Sequence, residues 1–128
     1  MHDENVSAEN KDFVEDLFSK FSHIKVVDNT LDLEIATIAA SCMPAFIALS
    51  LDLFANKLEE RCNLSKEETF KILAETLNST TYILNEDIYS PDELINKVAT
   101  KNGITQKGLD VLDEDLPAIY KRLICNLL

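Results

Sequence analysis

The chain has 128 residues, a formal net charge of −11 and 46% hydrophobic residues. This is the length of a single domain that can bury a core, and the scarcity of glycine and proline, at two and three residues, favours helices over a sandwich or barrel. The negative charge disfavours nucleic acid or an anionic membrane surface as a partner, because phosphate groups would be repelled.

Membrane insertion and metal binding also lack a sequence signal. No apolar run approaches the roughly 20 residues of a membrane-spanning helix, and the start of the chain is acidic, unlike a secretory signal. We therefore expect a soluble, cytoplasmic protein. Because Cys42, Cys62 and Cys125 are odd in number and widely spaced, we expect no disulfide framework and no metal site. Reduced thiols that are buried or partly buried are the expected alternative.

The first predicted elements are a helix and a short strand. Apolar residues recur at helical spacing between Phe13 and Phe21, and residues 23–28 form a β-prone run. A lone strand needs a neighbour for its backbone groups. This one either pairs with another copy or belongs to a sheet that this chain does not contain.

From Leu31 onward the sequence predicts only helices. A first helix covers about residues 31–40, and Pro44 lies in the first turn of a second, where its missing N–H costs nothing. Between Ala45 and Ala55 this second helix is apolar on nearly every side. It must therefore be covered, either at the centre of a larger bundle or by another subunit.

Two capping boxes predict the next two helices. Ser65 with Glu68 opens a helix that continues to about residue 84, and Ser90 with Glu93 opens a shorter one. Two more helices are expected after them, one following the glycine turn and one closing the chain. The prediction is a mainly α fold of about six helices.

The turn between these helices, residues 99–105 (ATKNGIT), is a candidate site. Gly103 can adopt a left-handed conformation, and Thr105 falls at the beginning of the following helix. Backbone N–H groups and a hydroxyl at a helix start form a natural cradle for a carboxylate or phosphate. A glycine turn followed by a threonine helix cap explains the same residues, and both interpretations stay open.

From Leu31 to the end, the order of segments resembles the C-terminal dimerisation domain of pyrroline-5-carboxylate reductase. Residues 41–45 (SCMPA) resemble that family's Gly-Ser-Gly-Pro-Ala motif, and residues 100–105 (TKNGIT) resemble its Ser-Pro-Gly-Gly-Thr-Thr loop. The resemblance implies a helical dimerisation domain at residues 30–128, similar to the 6-phosphogluconate dehydrogenase C-terminal-like domain. Residues 1–29 then resemble a helix–strand remnant of a dinucleotide-binding domain.

The resemblance also implies site residues. In the family the loop binds the carboxylate of the pyrroline, and its last threonine hydrogen-bonds the ring nitrogen. Thr105 matches that threonine and is the implied catalytic residue. The implied substrate-binding residues are Thr100 and Gly103 in the loop, and Pro44 and Ala45 in the helix-start motif.

The sequence departs from the family at both motifs. Lys101, Asn102 and Ile104 replace a proline, a glycine and a small residue of the loop, and Cys42 and Met43 replace a small Ser-Gly pair. Side chains thus stand where the family uses bare backbone, which limits how closely a ligand can approach.

Three functional hypotheses follow. The first is the dimerisation and substrate-site part of a pyrroline-5-carboxylate reductase-like oxidoreductase of proline biosynthesis, a homodimer with a proline-like ligand. It would be inactive without an NAD(P)H domain, because the chain has no glycine fingerprint to hold a cofactor itself. The second is a standalone helical dimerisation or binding module that has lost catalysis, and the third is an unrelated acidic helical adaptor.

Overall fold

The computed structural model describes residues 5–128, and these residues are mainly helical, as predicted. No β-strand forms within this range. The six α-helices are α1 (Ala8–Ser19), α2 (Thr30–Thr37), α3 (Met43–Glu59), α4 (Lys66–Asn85), α5 (Pro91–Val98) and α6 (Ile104–Leu127).

The chain divides into two compact units, the first ending at Pro44 and the second covering Ala45–Leu128. The boundary predicted between residues 29 and 30 rests on the family resemblance and stays a prediction.

In the first unit, α1 is followed by a segment without regular secondary structure. Ser7 caps α1, its hydroxyl accepting a hydrogen bond from the N–H of Asn10 at 3.4 Å. Residues 23–27 have no regular secondary structure and form no strand, because the described part of the chain offers no neighbouring strand with which to pair. The predicted strand is therefore wrong for these residues. The segment and α1 line a groove of about 320 Å³, with Phe18, His23 and Val26 among its walls.

The helix predicted to break near Pro44 is continuous. A π-helical turn at Ile38–Cys42 joins α2 to α3, so that one helix runs from Thr30 to Glu59. Pro44 does lie in the first turn of α3, but no loop precedes it. The wider π-helical turn lets the chain pass a residue that has no N–H to donate.

Continuity also corrects the expectation about apolar length. Within the described residues the helix Thr30–Glu59 is the one segment long and apolar enough to cross a membrane. The sequence analysis split this segment into two short helices and therefore underestimated its length. An apolar helix that is covered by protein in a soluble assembly has the same length and composition.

In the second unit, an ion pair and a hydrogen bond join α3 to the start of α4. Lys66 pairs with Asp52 through its ammonium group, and its backbone N–H donates a hydrogen bond to Glu59 Oε1 at 2.9 Å. Close by in sequence are Ala55 on α3 and Thr69 on α4, the two buried residues of the described chain.

Both predicted capping boxes are present. Ser65 Oγ accepts from the N–H of Glu68 at 3.2 Å while the Glu68 carboxylate accepts from the N–H of Ser65 at 2.9 Å. Ser90 and Glu93 exchange the same pair of bonds at the start of α5.

The end of the chain forms one helix rather than the two that were predicted. α6 is 24 residues long and continues through Pro117. Pro117 removes the N–H that would bond the carbonyl of Asp113, and both residues are exposed, so water can reach the unpaired carbonyl. A proline on a solvated helix face thus need not end a helix.

Large apolar side chains lie open across the chain. On α3, Leu49, Leu53 and Phe54 are 59%, 54% and 55% exposed.

The three cysteines are free. Cys42 is half-buried as expected, but Cys62 and Cys125 are exposed, against expectation, because a single chain covers so little of its own surface. Exposed apolar surface of this kind, together with these thiols, is what an assembly would cover.

Candidate functional site

The turn at residues 100–103 positions the candidate site. The N–H of Gly103 donates a hydrogen bond to the carbonyl of Thr100 at 2.8 Å, which closes the turn just before α6. Asn102 holds the left-handed conformation that this turn requires, with φ of 62°. Gly103, which can adopt that conformation, does not do so here, since its φ is −75° and its ψ 175°.

Gly103 is needed for a different reason, which is close approach. A Cβ built on Gly103 would lie 2.9 Å from the Thr100 carbonyl oxygen and would also collide with the Thr100 hydroxyl. Real Cβ atoms essentially never approach a backbone atom so closely. Sequence reasoning selected the correct glycine but gave it the role that Asn102 performs. The Asn-Gly pair was the available signal, because asparagine is among the few residues that adopt left-handed φ readily.

The start of α6 presents free backbone donors. Gly103 is the N-cap residue and offers no side chain to the first turn. Going along α6 from its start, the N–H of Lys107 is the first that has an acceptor in the described chain. It donates a hydrogen bond to the carbonyl of Gly103 at 3.2 Å. The N–H groups of Ile104, Thr105 and Gln106 therefore point outward from the helix start, where an anion would be stabilised.

Thr105 is the second residue of α6, not its cap. The alternative interpretation of the motif as a threonine helix cap is therefore wrong. Thr105 and Thr100 are exposed, and Gly103 is half-buried between them in sequence. The turn brings Thr100 and Gly103 together, and Thr105 follows in the first turn of α6, among the residues with outward-facing amides.

Pro44 and Ala45 lie in a separate element, at the first turn of α3, where both are exposed. Their part in a common site with the turn remains a prediction. Among the described residues no group of three or more metal-ligating side chains occurs.

The side chains that depart from the family are also on the surface. Lys101 and Asn102 are exposed, and Ile104 is 92% exposed at the first position of α6. A ligand held by the free amides would meet these side chains at the edge of the turn.

Comparison with known proteins identifies the family to which the chain is similar. The family model for pyrroline-5-carboxylate reductase dimerisation matches residues 31–126. The pyrroline-5-carboxylate reductase of Methanobrevibacter smithii is 84% identical over 120 residues, which cover 94% of this chain and 47% of that protein.

Solved structures agree in fold. The 1-pyrroline-5-carboxylate reductase of Streptococcus pyogenes superposes with a TM-score of 0.83 at 24% identity, covering 98% of this chain and 48% of the other. The Plasmodium falciparum pyrroline carboxylate reductase, crystallised with NADP bound, gives 0.74 at 22% identity, with coverage of 98% and 48%. The chain spans about half the length of the relatives it matches. With the family match over residues 31–126 and 84% identity to a curated relative, this chain belongs to the pyrroline-5-carboxylate reductase family, whose dimerisation domain it contains.

Proposed function

We propose that the chain provides dimerisation and part of the substrate site of a pyrroline-5-carboxylate reductase-like oxidoreductase of proline biosynthesis. The observation that carries the proposal is the start of α6. Three outward-facing backbone N–H groups lie beside Thr100 and Thr105, in a turn that only glycine at position 103 can form without a collision.

The proposed ligand is a five-membered nitrogen ring that carries a carboxylate. The free amides of α6 hold the carboxylate, because oriented N–H groups and the helix dipole both favour a negative charge there. The Thr105 hydroxyl hydrogen-bonds the ring nitrogen and so fixes the face that the ring presents: it donates to an unprotonated imine nitrogen and accepts from the N–H of a protonated ring such as that of proline. Pro44 and Ala45 complete the proposed site from α3.

The nicotinamide cofactor of the proposed reaction does not fit the described residues. A dinucleotide site needs a glycine-rich turn between a strand and a helix. Both glycines of this chain, Gly103 and Gly108, instead lie at the start of α6 and within it. We therefore assign NAD(P)H to a part of the enzyme other than these helices, and reduction by this chain alone is not expected.

The proposed assembly is a homodimer in the cytoplasm. Leu49 and Leu53 are more than half exposed on the helix that passes the length and composition criteria for a membrane span. A family whose matching domain is one of dimerisation supports a second subunit as the cover for these side chains. The exposed acidic groups of a chain with net charge −11 fit an aqueous environment.

Calorimetry with small ligands tests the substrate site. We expect L-proline to bind more tightly than pyrrolidine, which lacks the carboxylate, or cyclopentanecarboxylate, which lacks the ring nitrogen. Replacing Thr105 by alanine should weaken proline binding by about 1 kcal/mol, the contribution of one hydrogen bond. Thr105→Ser is the matched control, because it keeps the hydroxyl and should bind like the original chain.

The alternative is a dimerisation module that has lost catalysis, and the exposed Ile104 favours it. An apolar side chain that is 92% exposed stands where the family has a small residue. A stable dimer that binds none of the three small molecules would support this alternative and remove Thr105 from a substrate site.

A further inference from the structure

The turn before α6 contains the one Asn-Gly pair of the sequence, Asn102–Gly103. Asparagine followed by glycine is the pair most prone to deamidation, because a following residue without a side chain leaves the backbone nitrogen free to approach the asparagine side chain. The reactivity of such a pair in a folded chain depends on how that nitrogen is held.

The nitrogen of Gly103 is held by a turn and not by a helix. α5 ends at Val98 and α6 begins at Ile104, so this nitrogen lies outside the helical hydrogen bonding of both. Its N–H donates a hydrogen bond to the carbonyl of Thr100 at 2.8 Å, and this bond has to open before the nitrogen can react. Opening one bond of a turn costs far less free energy than unwinding part of a helix.

Asn78 provides the contrast, because it too is followed by a small residue. Asn78 and Ser79 both lie within α4, where the backbone nitrogen of Ser79 is fixed in the helical ladder. The Ser79 hydroxyl also donates a hydrogen bond to the carbonyl of Glu75 at 3.1 Å. The two asparagines therefore differ in backbone freedom as well as in the residue that follows them.

The turn also remains accessible to water, which is the second reactant of deamidation. Thr100, Lys101 and Asn102 carry polar or charged groups, whose burial against another subunit would be costly, unlike that of the leucines of α3. Asparagine suits this turn because it adopts the φ of 62° at position 102 more readily than most residues do.

We propose that Asn102–Gly103 is a deamidation site, at which the chain gains a negative charge just before the free amides of α6. The Gly103 nitrogen gives its proton to hydroxide and attacks Cγ of Asn102. The new C–N bond closes a five-membered succinimide, while the side-chain nitrogen takes up a proton and leaves as ammonia. One water then opens the ring, at Cγ to give aspartate or at the backbone carbonyl carbon to give isoaspartate.

Both products oppose the binding of an anion, a consequence that rests on the proposed function. A carboxylate at position 102 lies two residues before the first free amide, that of Ile104, and repels the carboxylate of a ligand held there. Isoaspartate also adds one carbon to the main chain of a turn in which a Cβ on Gly103 would already lie 2.9 Å from the Thr100 carbonyl oxygen. The isoaspartate product therefore also changes the shape of the turn.

Ageing the intact chain in mildly alkaline water enriched in heavy oxygen, with a reducing agent present, tests the modification. Opening of the succinimide takes up one oxygen from water, so mass spectrometry after digestion in ordinary water detects only the conversion that occurred during ageing. We expect the label in residues 102–107, which trypsin releases by cleaving after Lys101 and Lys107. We expect none at Asn78.

A synthetic peptide of residues 98–107 is the positive control and should convert faster, because it lacks the hydrogen-bonded turn. Retention of the Asn102 amide in the chain, under conditions that convert the peptide, would overturn the proposal. Equal labelling at Asn78 and Asn102 would overturn the role given to the turn.

Calorimetry with L-proline measures the consequence for ligands. The aged chain should bind proline about two- to fivefold more weakly than the fresh chain, the range that one charge contributes at a helix end. Asn102→Gly is the matched control, because glycine adopts positive φ and has no side-chain amide to lose, so ageing should leave its affinity unchanged. Equal affinities of the fresh chain and of the fully converted chain would overturn this consequence. A fresh chain that binds no proline would instead contradict the proposed substrate site, and the heavy-oxygen label would still decide whether Asn102 is modified.

Discussion

At the scale of single residues, the candidate turn depends on Asn102 and Gly103 in different ways. Asn102 carries the left-handed φ, and Gly103 provides room for Thr100. Sequence reasoning located the turn from its glycine but could not distinguish these roles, because the distance between Gly103 and the Thr100 carbonyl exists only in the folded backbone. Gly103 and Thr105 were suggested as site residues by their position at a helix start, whereas Thr100, Pro44 and Ala45 came from the family resemblance alone.

Alanine substitution of the two glycines should have opposite effects on stability. Gly103→Ala forces a shift of the Thr100 backbone and should lower the free energy of unfolding by about 1–2 kcal/mol. Gly108→Ala should raise it by about 0.5–1 kcal/mol, because Gly108 lies within α6 and an added Cβ would meet nothing within 4 Å beyond its chain neighbours and the backbone of its own helix. Urea unfolding followed by circular dichroism, at one fixed protein concentration, measures both.

The paired design provides its own control, since both changes add one methyl group to the same region. If the two variants were destabilised equally, close packing at Gly103 would not be the reason for glycine there. Loss of proline binding in Gly103→Ala, without loss in Gly108→Ala, would further connect the turn to the ligand.

At the scale of helices, the capping boxes predicted helix starts correctly, whereas the helix ends predicted near prolines were wrong. Ser65 and Ser90 begin helices as predicted, because a capping box is completed by residues three positions apart. Pro44 was interpreted as part of a helix start, and two helices were expected where α6 continues through Pro117, yet both prolines lie within continuous helices. Whether a proline ends a helix depends on whether the unpaired carbonyl can be solvated or bypassed, which the local sequence does not determine. The predicted strand failed because its partner strand is not among the described residues.

The capping box of α4 should make the stability of the chain depend on pH. Hydrogen bonds from the backbone and then the side chain of Ser65 lower the pKa of Glu68. A lowered pKa means that the folded state favours the ionised carboxylate, so this contribution is complete at neutral pH. This contribution should begin to decline as the pH falls from about 5 toward the ordinary pKa of glutamate, and it should disappear below the lowered pKa of Glu68.

Glu68→Gln tests this contribution, because glutamine can complete a capping box but cannot ionise. The variant should lose less stability than the original chain between neutral pH and about pH 3, measured by urea unfolding at each pH. Glu67→Gln is the matched control, since Glu67 makes neither capping bond and its variant should retain the original pH dependence. Identical profiles for Glu68→Gln and the original chain would contradict the assignment.

At the scale of the whole molecule, the exposed apolar surface is the dominant feature. Ala55 is the single buried apolar residue of the described chain, although 46% of the sequence is hydrophobic. The sequence analysis left two covers open for the apolar part of α3, a larger bundle or another subunit. Because Leu49 and Leu53 remain exposed in the folded chain, its own helices do not form that bundle, and the family match supports the second subunit.

The last prediction concerns this surface. Replacing Leu53 by aspartate would place a charge in an apolar interface, where burial without a partner is costly, so the dimer should dissociate at protein concentrations at which the original chain is dimeric. Light scattering after size-exclusion chromatography measures the mass, and Leu49→Asp should behave in the same way. Leu53→Met is the matched control, because it keeps an apolar side chain of similar volume and should remain dimeric. A dimer mass for both aspartate variants would exclude this face of α3 from the interface, leaving its exposed leucines to be covered by some other means. Dissociation of the aspartate variants alone would instead identify the face as the one on which the two subunits meet.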